Sequence, residues 1–478
     1  MAKKKILLLS DDIRVHSGIG TMSRAFVMGT MNKYDWVQIA GAINHPENGK
    51  VFDLSKELQE KEGIKDAYCK LYPVAGYGDQ NILRQVLEVE KPDAIMHFTD
   101  PRFWGWLYAM GHEIRQNIPI MYYNIWDDLP YPHWNEPFYE SCDALMAISK
   151  QTYNINKHVC QNKPRIEGED LFYVPHGILE TMFHPLIEKD ENFNKFKLDL
   201  LGNKHYDFIA LFNSRNIRRK GTSDLISAFA TFTASLPKDK ADKCALILHT
   251  DPVDQNGTDL PIVAHVLAPD RNIIFSNAKL PPQAMVMLYN IADVTCQPSS
   301  AEGFGLSVME SIMSGTPIIA TVTGGLQDQM GFKVMRSIDG IEGAAKLRDV
   351  TVNDFTKDIP SNSTGKISKE HGEWIYPLWP NSSLQGSPPT PYIYDSRPKI
   401  QDIIKGLEYW YNMSREERKE KGLVGRNWAI ENGFTHKGMC DAMTNGIETC
   451  FKNFKPLESY ELIDMSKPKP NYPTGVLV

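Results

Sequence analysis

Short apolar runs alternate along this chain with longer stretches in which apolar residues recur every three or four positions. The first run, Ile6 to Leu9, reads as a buried strand closing at Ser10 and Asp11. Met22, Phe26, Val27 and Met31 then mark one face of a helix. More strands are predicted at 36–41, 94–98, 118–125 and 144–149, separated by helical or irregular segments. The polar stretch 188–204 interrupts this rhythm and reads as a linker. Beyond it the alternation restarts at 208–212, with strands at 245–249 and 273–275 and a helix at 282–291. Strands separated by helices imply parallel sheets, so the predicted class is α/β with two Rossmann-like units.

Ligands in such sheets collect beyond the carboxyl ends of the strands, which directs attention to the residues there. After an apolar run at 292–296 comes the turn Glu302, Gly303, Phe304, Gly305, and then a helix with Leu306, Met309, Ile312 and Met313 on one face. The glycines let a ligand approach the main chain, and the following helix start favours a phosphate. Glu302 and Glu310, two helical turns apart, are candidate acceptors for sugar hydroxyls. Gly18 and Gly20 form a similar turn after the first strand, but Ser23 breaks the full dinucleotide fingerprint, so a bound NAD is not indicated. Arg215, Arg218, Arg219 and Lys220 cluster between a strand and a helix, a plausible anion site; a solvated face is the plainer reading of Arg218 and Arg219. Asp127 and Asp128 follow another strand, where they read either as helix capping, as polar contacts to a ligand, or as a metal-bound diphosphate site.

Length makes two domains the expectation: 478 residues exceed one ordinary core. A net charge of -7 advertises no global basic field for nucleic acid. Seven scattered cysteines without a CxxC pair suit reduced thiols and a cytoplasmic location. No apolar run reaches eighteen residues, so no membrane span is expected, and the basic start before Ile6 reads as the lead into a strand rather than a secretion signal.

The spacing Glu302-x7-Glu310, the continuation Ser314, Gly315, Thr316, Pro317, and then Thr323, Gly324, Gly325 resemble retaining glycosyltransferases of the GT-B fold, in the glycogen-synthase- and sucrose-synthase-like family. Arg215 and Lys220 match that family's Arg-x4-Lys pair. The resemblance implies two facing domains: 1–185 for the acceptor and 186–434 for the nucleotide sugar, with an insertion at about 335–398 and a last helix, about 435–478, crossing back. It implies a nucleotide diphosphate sugar as donor, UDP-sugar favoured, and neither metal nor cofactor. Arg215 and Lys220 would neutralise the leaving diphosphate, with Glu302, Asp127 and Asp128 completing the catalytic group. Glu310 would hold the ribose, and Gly18, Gly20, Leu280, Gly303, Phe304, Gly305 and Leu306 would contact the donor. The family's first-domain histidine has no counterpart at Asn124 to Asp128, so Asp127, Asp128 or His133 is expected in its place.

The stretch 372–394 is dense in prolines and aromatics and reads as a stiff, non-helical flap beside the cleft. Together with the opening 9–20, it is similar to phage-encoded glycosyltransferases, some of which modify hydroxymethylated DNA bases. A DNA acceptor therefore stands beside a saccharide or small-molecule acceptor. An epimerase, a phosphorylase and a non-catalytic nucleotide-sugar-binding module are the alternative readings; the oligomeric state is left open.

Overall fold

The computed structural model describes residues 3–42, 45–160, 164–186, 190–337 and 345–458. The first domain is built on an eight-stranded sheet: β1 (Lys4–Asp11), β2 (Tyr34–Ala42), β3 (Phe52–Asp53), β4 (Cys69–Ala75), β5 (Ala94–Phe98), β6 (Ile120–Asn124), β7 (Ala144–Ala147) and β8 (Leu171–Tyr173). Its order is β3-β4-β2-β1-β5-β6-β7-β8, parallel throughout except where the short β3 runs antiparallel to β4. Ile6 to Leu9 of β1 are all fully buried because both faces of the sheet are covered. Ile6 and Leu8 enter one core and Leu7 and Leu9 the other, as the two-residue period of a strand requires.

The second domain carries β9 (Phe208–Asn213), β10 (Cys244–His249), β11 (Asn272–Ser276), β12 (Val294–Gln297) and β13 (Ile318–Thr321), then the antiparallel pair β14 (Lys333–Ser337) and β15 (Ala345–Asp349). After them come β16 (Ile375–Leu378) and a hairpin of β17 (Asn381–Ser387) and β18 (Thr390–Arg397). The main sheet, β11-β10-β9-β12-β13-β16, is parallel throughout. The helix His436–Asn453 packs back on the first domain: His436 Nε2 lies 2.9 Å from the Ala25 carbonyl, and the Tyr34 hydroxyl donates to Glu448 at 2.6 Å. Positions 459–478 lie outside the described residues.

Two expectations need correction. The supposed linker 188–204 contains the helix Glu191–Leu201; the Asp190 carboxylate caps it by accepting from the Asn192 and Phe193 amides, and Phe193 and Leu201 are buried. Its sparse apolar face is hidden among polar residues. The supposed flap 372–394, within the expected insertion, divides in two. Its first part is β16, an edge strand of the main sheet beside β13, and only the second part, the β17–β18 hairpin, projects.

That hairpin reaches the first domain. The Tyr394 amide donates to the Leu129 carbonyl at 2.6 Å, the Tyr392 hydroxyl to the Tyr131 carbonyl at 3.1 Å, and Arg102 to the Thr390 hydroxyl at 2.6 Å. A buried polar seam also joins the domains: the Lys150 amide and the Tyr173 hydroxyl donate to the Asp328 carboxylate at 2.8 and 2.9 Å. All seven cysteines are buried and unbridged. Among the described residues no helix is long and apolar enough to cross a membrane.

Candidate active site

The strands β9 and β12 are neighbours, so whatever follows each of them meets at one end of the sheet. After β9 the chain turns through a 3-10 segment, Arg218–Lys220, into the helix Thr222–Ala234. After β12 the loop 298–305 leads into the helix Leu306–Met313, and the Ser300 amide donates to the Arg219 carbonyl at 2.7 Å. This pairing of loops brings Lys220 and Arg219 onto one carboxylate. Both donate to Glu302, Arg219 at 3.0 Å, and Arg219 also donates to the Ala301 carbonyl.

Electrostatics keep this triad charged. Burial pushes the Glu302 carboxyl up, but Lys220 and then Arg219 outweigh it, and the net shift is downward. Burial is also the largest influence on Lys220 and lowers it; Glu302 opposes that loss. Two cations share this one carboxylate, so the group keeps a net positive charge that a second anion can meet.

Arg219 and Glu302 line a cavity of about 520 Å³ between the domains, and Lys220 reaches it only through its bond to Glu302. Gly303, Phe304, Gly305, Leu306 and Glu310 line its second-domain side, and Gly18, Asp127, Ile148 and His176 its first-domain side. Gly305 sits at φ +91 and a Cβ there would fall 2.4 Å from Leu326 Cδ2, so only glycine fits. The turn it makes aims the amino end of the helix Leu306–Met313 into the cavity. Glu310 accepts from the Tyr289 hydroxyl at 2.7 Å, and Tyr289 in turn accepts from Asn213 at 2.7 Å. Burial raises the Glu310 carboxyl to about 7 against the opposing bond from Tyr289.

Besides Lys220, four expected residues lie outside the cavity lining. Arg215 is turned outward, 61% exposed, and pairs with Asp254 at 2.8 Å. Leu280 is half-buried against the core, away from the cavity lining. Gly20 donates its amide to the Ser17 hydroxyl at 2.9 Å inside the first helical turn, where a Cβ would meet the Val15 carbonyl at 2.4 Å; its role is packing. Asp128 stands beside Asp127 outside the lining, and burial raises its carboxyl well above the usual range, with Asp127 adding to the shift. Asp127 itself does line the cavity, its carboxyl also raised by burial.

Two cavity residues escaped the sequence reading. Arg219, set aside as solvated, lines the cavity in place of Arg215. Periodicity gives no signal for this, because the 3-10 turn decides which arginine faces inward. His176 follows β8, so the strand-end rule pointed at it. It is 5% exposed, and its Nδ1 lies 2.8 Å from the Tyr123 hydroxyl. Burial lowers it to about 3, so the ring is neutral. At the place where a histidine was expected, Asn124 is buried and bonded to Asn156 at 2.5 Å, and His133 stays outside the cavity lining.

A cation pair, a helix start and hydroxyl-accepting carboxylates around one cleft suit a phosphorylated sugar. The comparisons with known proteins agree in kind. Residues 194–334 match the family model "Glycosyl transferases group 1". A D-inositol 3-phosphate glycosyltransferase of Corynebacterium urealyticum is 34% identical over 120 residues, 24% of this chain and 27% of that protein. An MMP alpha-(1->4)-mannosyltransferase of Mycolicibacterium hassiacum is 27% identical over 166 residues, 35% of this chain and 34% of the relative. The chain thus spans about a third or less of these curated relatives. Solved structures align nearly end to end. Sucrose-phosphate synthase of Thermosynechococcus elongatus gives a TM-score of 0.63 at 15% identity, covering 94% of this chain and 100% of that one. HepE of Anabaena, in complex with UDP and glucose, gives 0.61 at 13% identity, covering 93% and 100%. The fold is GT-B. In GT-B terms the cavity is the cleft between the two Rossmann-like domains, and the matched family segment supplies its Arg219, Glu302 and Glu310 and the Lys220 bonded to Glu302.

Proposed function

We propose that this protein is a retaining, metal-independent glycosyltransferase that moves a sugar from a nucleotide diphosphate sugar, a UDP-sugar by preference, to an acceptor hydroxyl. The observation that carries the reading is the joint placement of Arg219 and the helix start at Leu306 around one cleft, with Lys220 bonded to the Glu302 that lines it. As the glycosidic bond breaks, negative charge grows on the leaving diphosphate. Preorganised cations and backbone amides stabilise that charge more than they stabilise the ground state. Glu310 accepts the ribose hydroxyls, and Glu302 and the Gly303–Leu306 backbone hold the transferred sugar and the phosphates. The freed phosphate oxygen takes the acceptor's proton on the same face, which yields retention. No cofactor beyond the donor takes part in these steps. The acceptor hydroxyl belongs to a saccharide, another small molecule or a hydroxymethylated DNA base.

The test is a titration of the full chain with UDP-, GDP- and ADP-sugars, followed by NMR of the anomeric configuration of the product in the presence of EDTA. Binding of one donor with an axial-to-axial product is the expected result. Absence of binding to every nucleotide sugar, or an inverted product, or loss of turnover in EDTA, would overturn the corresponding part of the reading.

A further inference from the structure

We propose that the acceptor is an uncharged, hydroxyl-rich saccharide or polyol, seated on the ring pair Tyr77–Phe103 at the first-domain rim of the cleft. The inference rests on the donor reading above and narrows it, because it excludes phosphorylated acceptors and DNA.

The ring pair connects to the cavity through the ends of β1 and β2. Ser17 lines the cavity and donates its hydroxyl to Asp11, at the end of β1, at 2.9 Å. Tyr77 packs on Gly41, the register partner of Asp11, and burial, then Asp11 and Asp100, raise its phenol. Tyr77 and Phe103 stack at 5.0 Å with 10° between their planes, and Tyr77 leans on the fully buried Trp104 at 5.5 Å. Phe103 is 56% exposed, so it is a large apolar ring held flat in water next to a sugar-transfer cleft. A flat, fixed ring is the surface that the C–H face of a pyranose covers, removing apolar area from water on both sides.

The groups around the ring suit hydroxyls and not phosphates. Arg102, the chain neighbour of Phe103, and Arg14, which follows β1, are each already engaged by carboxylates. Arg102 is held by both oxygens of Asp100, at 2.5 Å for its Nη2, and by Thr390, and it covers the Trp126 ring at 5.3 Å. Arg14 is bound to Asp12 at 2.7 Å and to Glu47 at 2.8 Å. Arg219 and Lys220 stand across the cleft on Glu302, where the donor diphosphate takes them. A phosphate on the acceptor would face the carboxyl groups of Asp11 and Asp127 there instead of a cation.

A second, independent observation points to a hydroxyl. The Tyr123 hydroxyl has one proton, and it goes to the Val174 carbonyl at 2.7 Å. His176 Nδ1 must then be the donor in its 2.8 Å bond to Tyr123. That tautomer leaves Nε2 as a bare lone pair on a nine-tenths-buried ring lining the cavity, with no protein partner assigned to it among the described residues. A neutral acceptor atom of this kind takes an O–H and gains nothing from a phosphate.

The experiment uses the full chain and the nucleotide sugar it binds, with mass spectrometry of three acceptor sets: maltose, cellobiose and myo-inositol; glucose 6-phosphate and inositol phosphate; and duplex DNA carrying 5-hydroxymethylcytosine. Product is expected from the first set alone. Phe103→Ala, at an exposed position, should raise the acceptor KM at least tenfold and leave the donor Kd unmoved, and Phe103→Trp should restore the KM to within about twofold of the parent. Transfer to the phosphates or the DNA at equal or higher kcat/KM overturns the proposal, as does an acceptor KM that ignores Phe103→Ala. Donor binding and hydrolysis without transfer to any neutral acceptor overturns this proposal alone. A chain that binds no nucleotide sugar overturns the donor reading and this one with it.

Discussion

On the second-domain wall of the cleft, the charged groups come from two adjacent strand ends, β9 and β12, and lie within one short stretch each: Arg219 and Lys220, then Glu302 and, on the following helix, Glu310. On the first-domain wall they come from the ends of β1, β6 and β8, with Tyr77 and Phe103 beyond β4 and β5, and a hairpin lent by the other domain completes the rim. A diphosphate has one charge and one geometry, so a compact local motif can hold it. An acceptor is defined by shape and hydroxyl pattern, which needs many elements brought together. The second-domain wall is ionic, with two cations on one carboxylate; the first-domain wall is aromatic, and its Arg102 is neutralised by a carboxylate of its own.

The sharpest way to break this contrast is Lys220→Ala. It removes the buried cation of the donor wall while Arg219 still satisfies Glu302, so the fold should hold. We expect kcat to fall roughly a thousandfold, the upper range for losing one preorganised charge-stabilising group, with a thermal midpoint close to the parent. Near-normal turnover would show that the diphosphate lies elsewhere.

The second comparison sets Arg219 against Arg215. Arg219→Ala should lower kcat/KM about a hundredfold, because this guanidinium faces the cavity. Arg215→Ala removes only an exposed pair with Asp254, and an effect of less than about fivefold is expected. The opposite order would show that Arg215 leaves Asp254 when donor binds.

How far the sequence could be read follows the same division. Runs buried on both faces, such as Ile6 to Leu9 and Phe208 to Phe212, were placed within about a residue, because a two-sided core demands an unbroken apolar string. β4 carries half-buried Lys70 and Tyr72 and a proline, so it has no such string and stayed unassigned. The helix Glu191–Leu201 was mistaken for a linker because it buries little beyond Phe193 and Leu201. In the site, Glu302, Gly303, Gly305 and Glu310 were visible because one turn and one helix fix them. Arg219 was not, because a 3-10 turn places it and leaves no period; His176 has no period either, and only its position after β8 marked it.

Glu310 offers a smaller effect with a definite sign. Its carboxyl stands at about 7 in the free protein because of burial, so it is substantially protonated at pH 6 and ionised at pH 8. Ribose hydroxyls donate to the ionised form. Donor binding should therefore release a proton and tighten as pH rises through 7, with Kd weakening by up to about tenfold per unit below it. Calorimetry in buffers of different ionisation enthalpy reads the proton directly. Glu310→Gln should flatten the profile; a flat profile in the parent would remove Glu310 from the donor site.

The mildest test concerns the hairpin, the one part of the acceptor wall that belongs to the donor domain. Tyr392 meets the Trp134 ring edge-on at 4.5 Å and donates to the Tyr131 carbonyl at 3.1 Å, so it ties β18 to the first domain beside Asp127 and Asp128. An edge-to-face pair contributes about 0.5–1.5 kcal/mol and one such hydrogen bond a similar net amount. Much of that is recovered when the Tyr394 amide and Arg102 keep their bonds to Leu129 and Thr390. Tyr392→Ala should therefore raise the acceptor KM about three- to fivefold. Donor Kd should stay unchanged, because Tyr392 itself faces Trp134 and Tyr131 of the first domain. If donor Kd moves as much as acceptor KM, the hairpin holds the two domains at their working separation and is not a wall of the acceptor site, and the contrast between the two walls fails at that point.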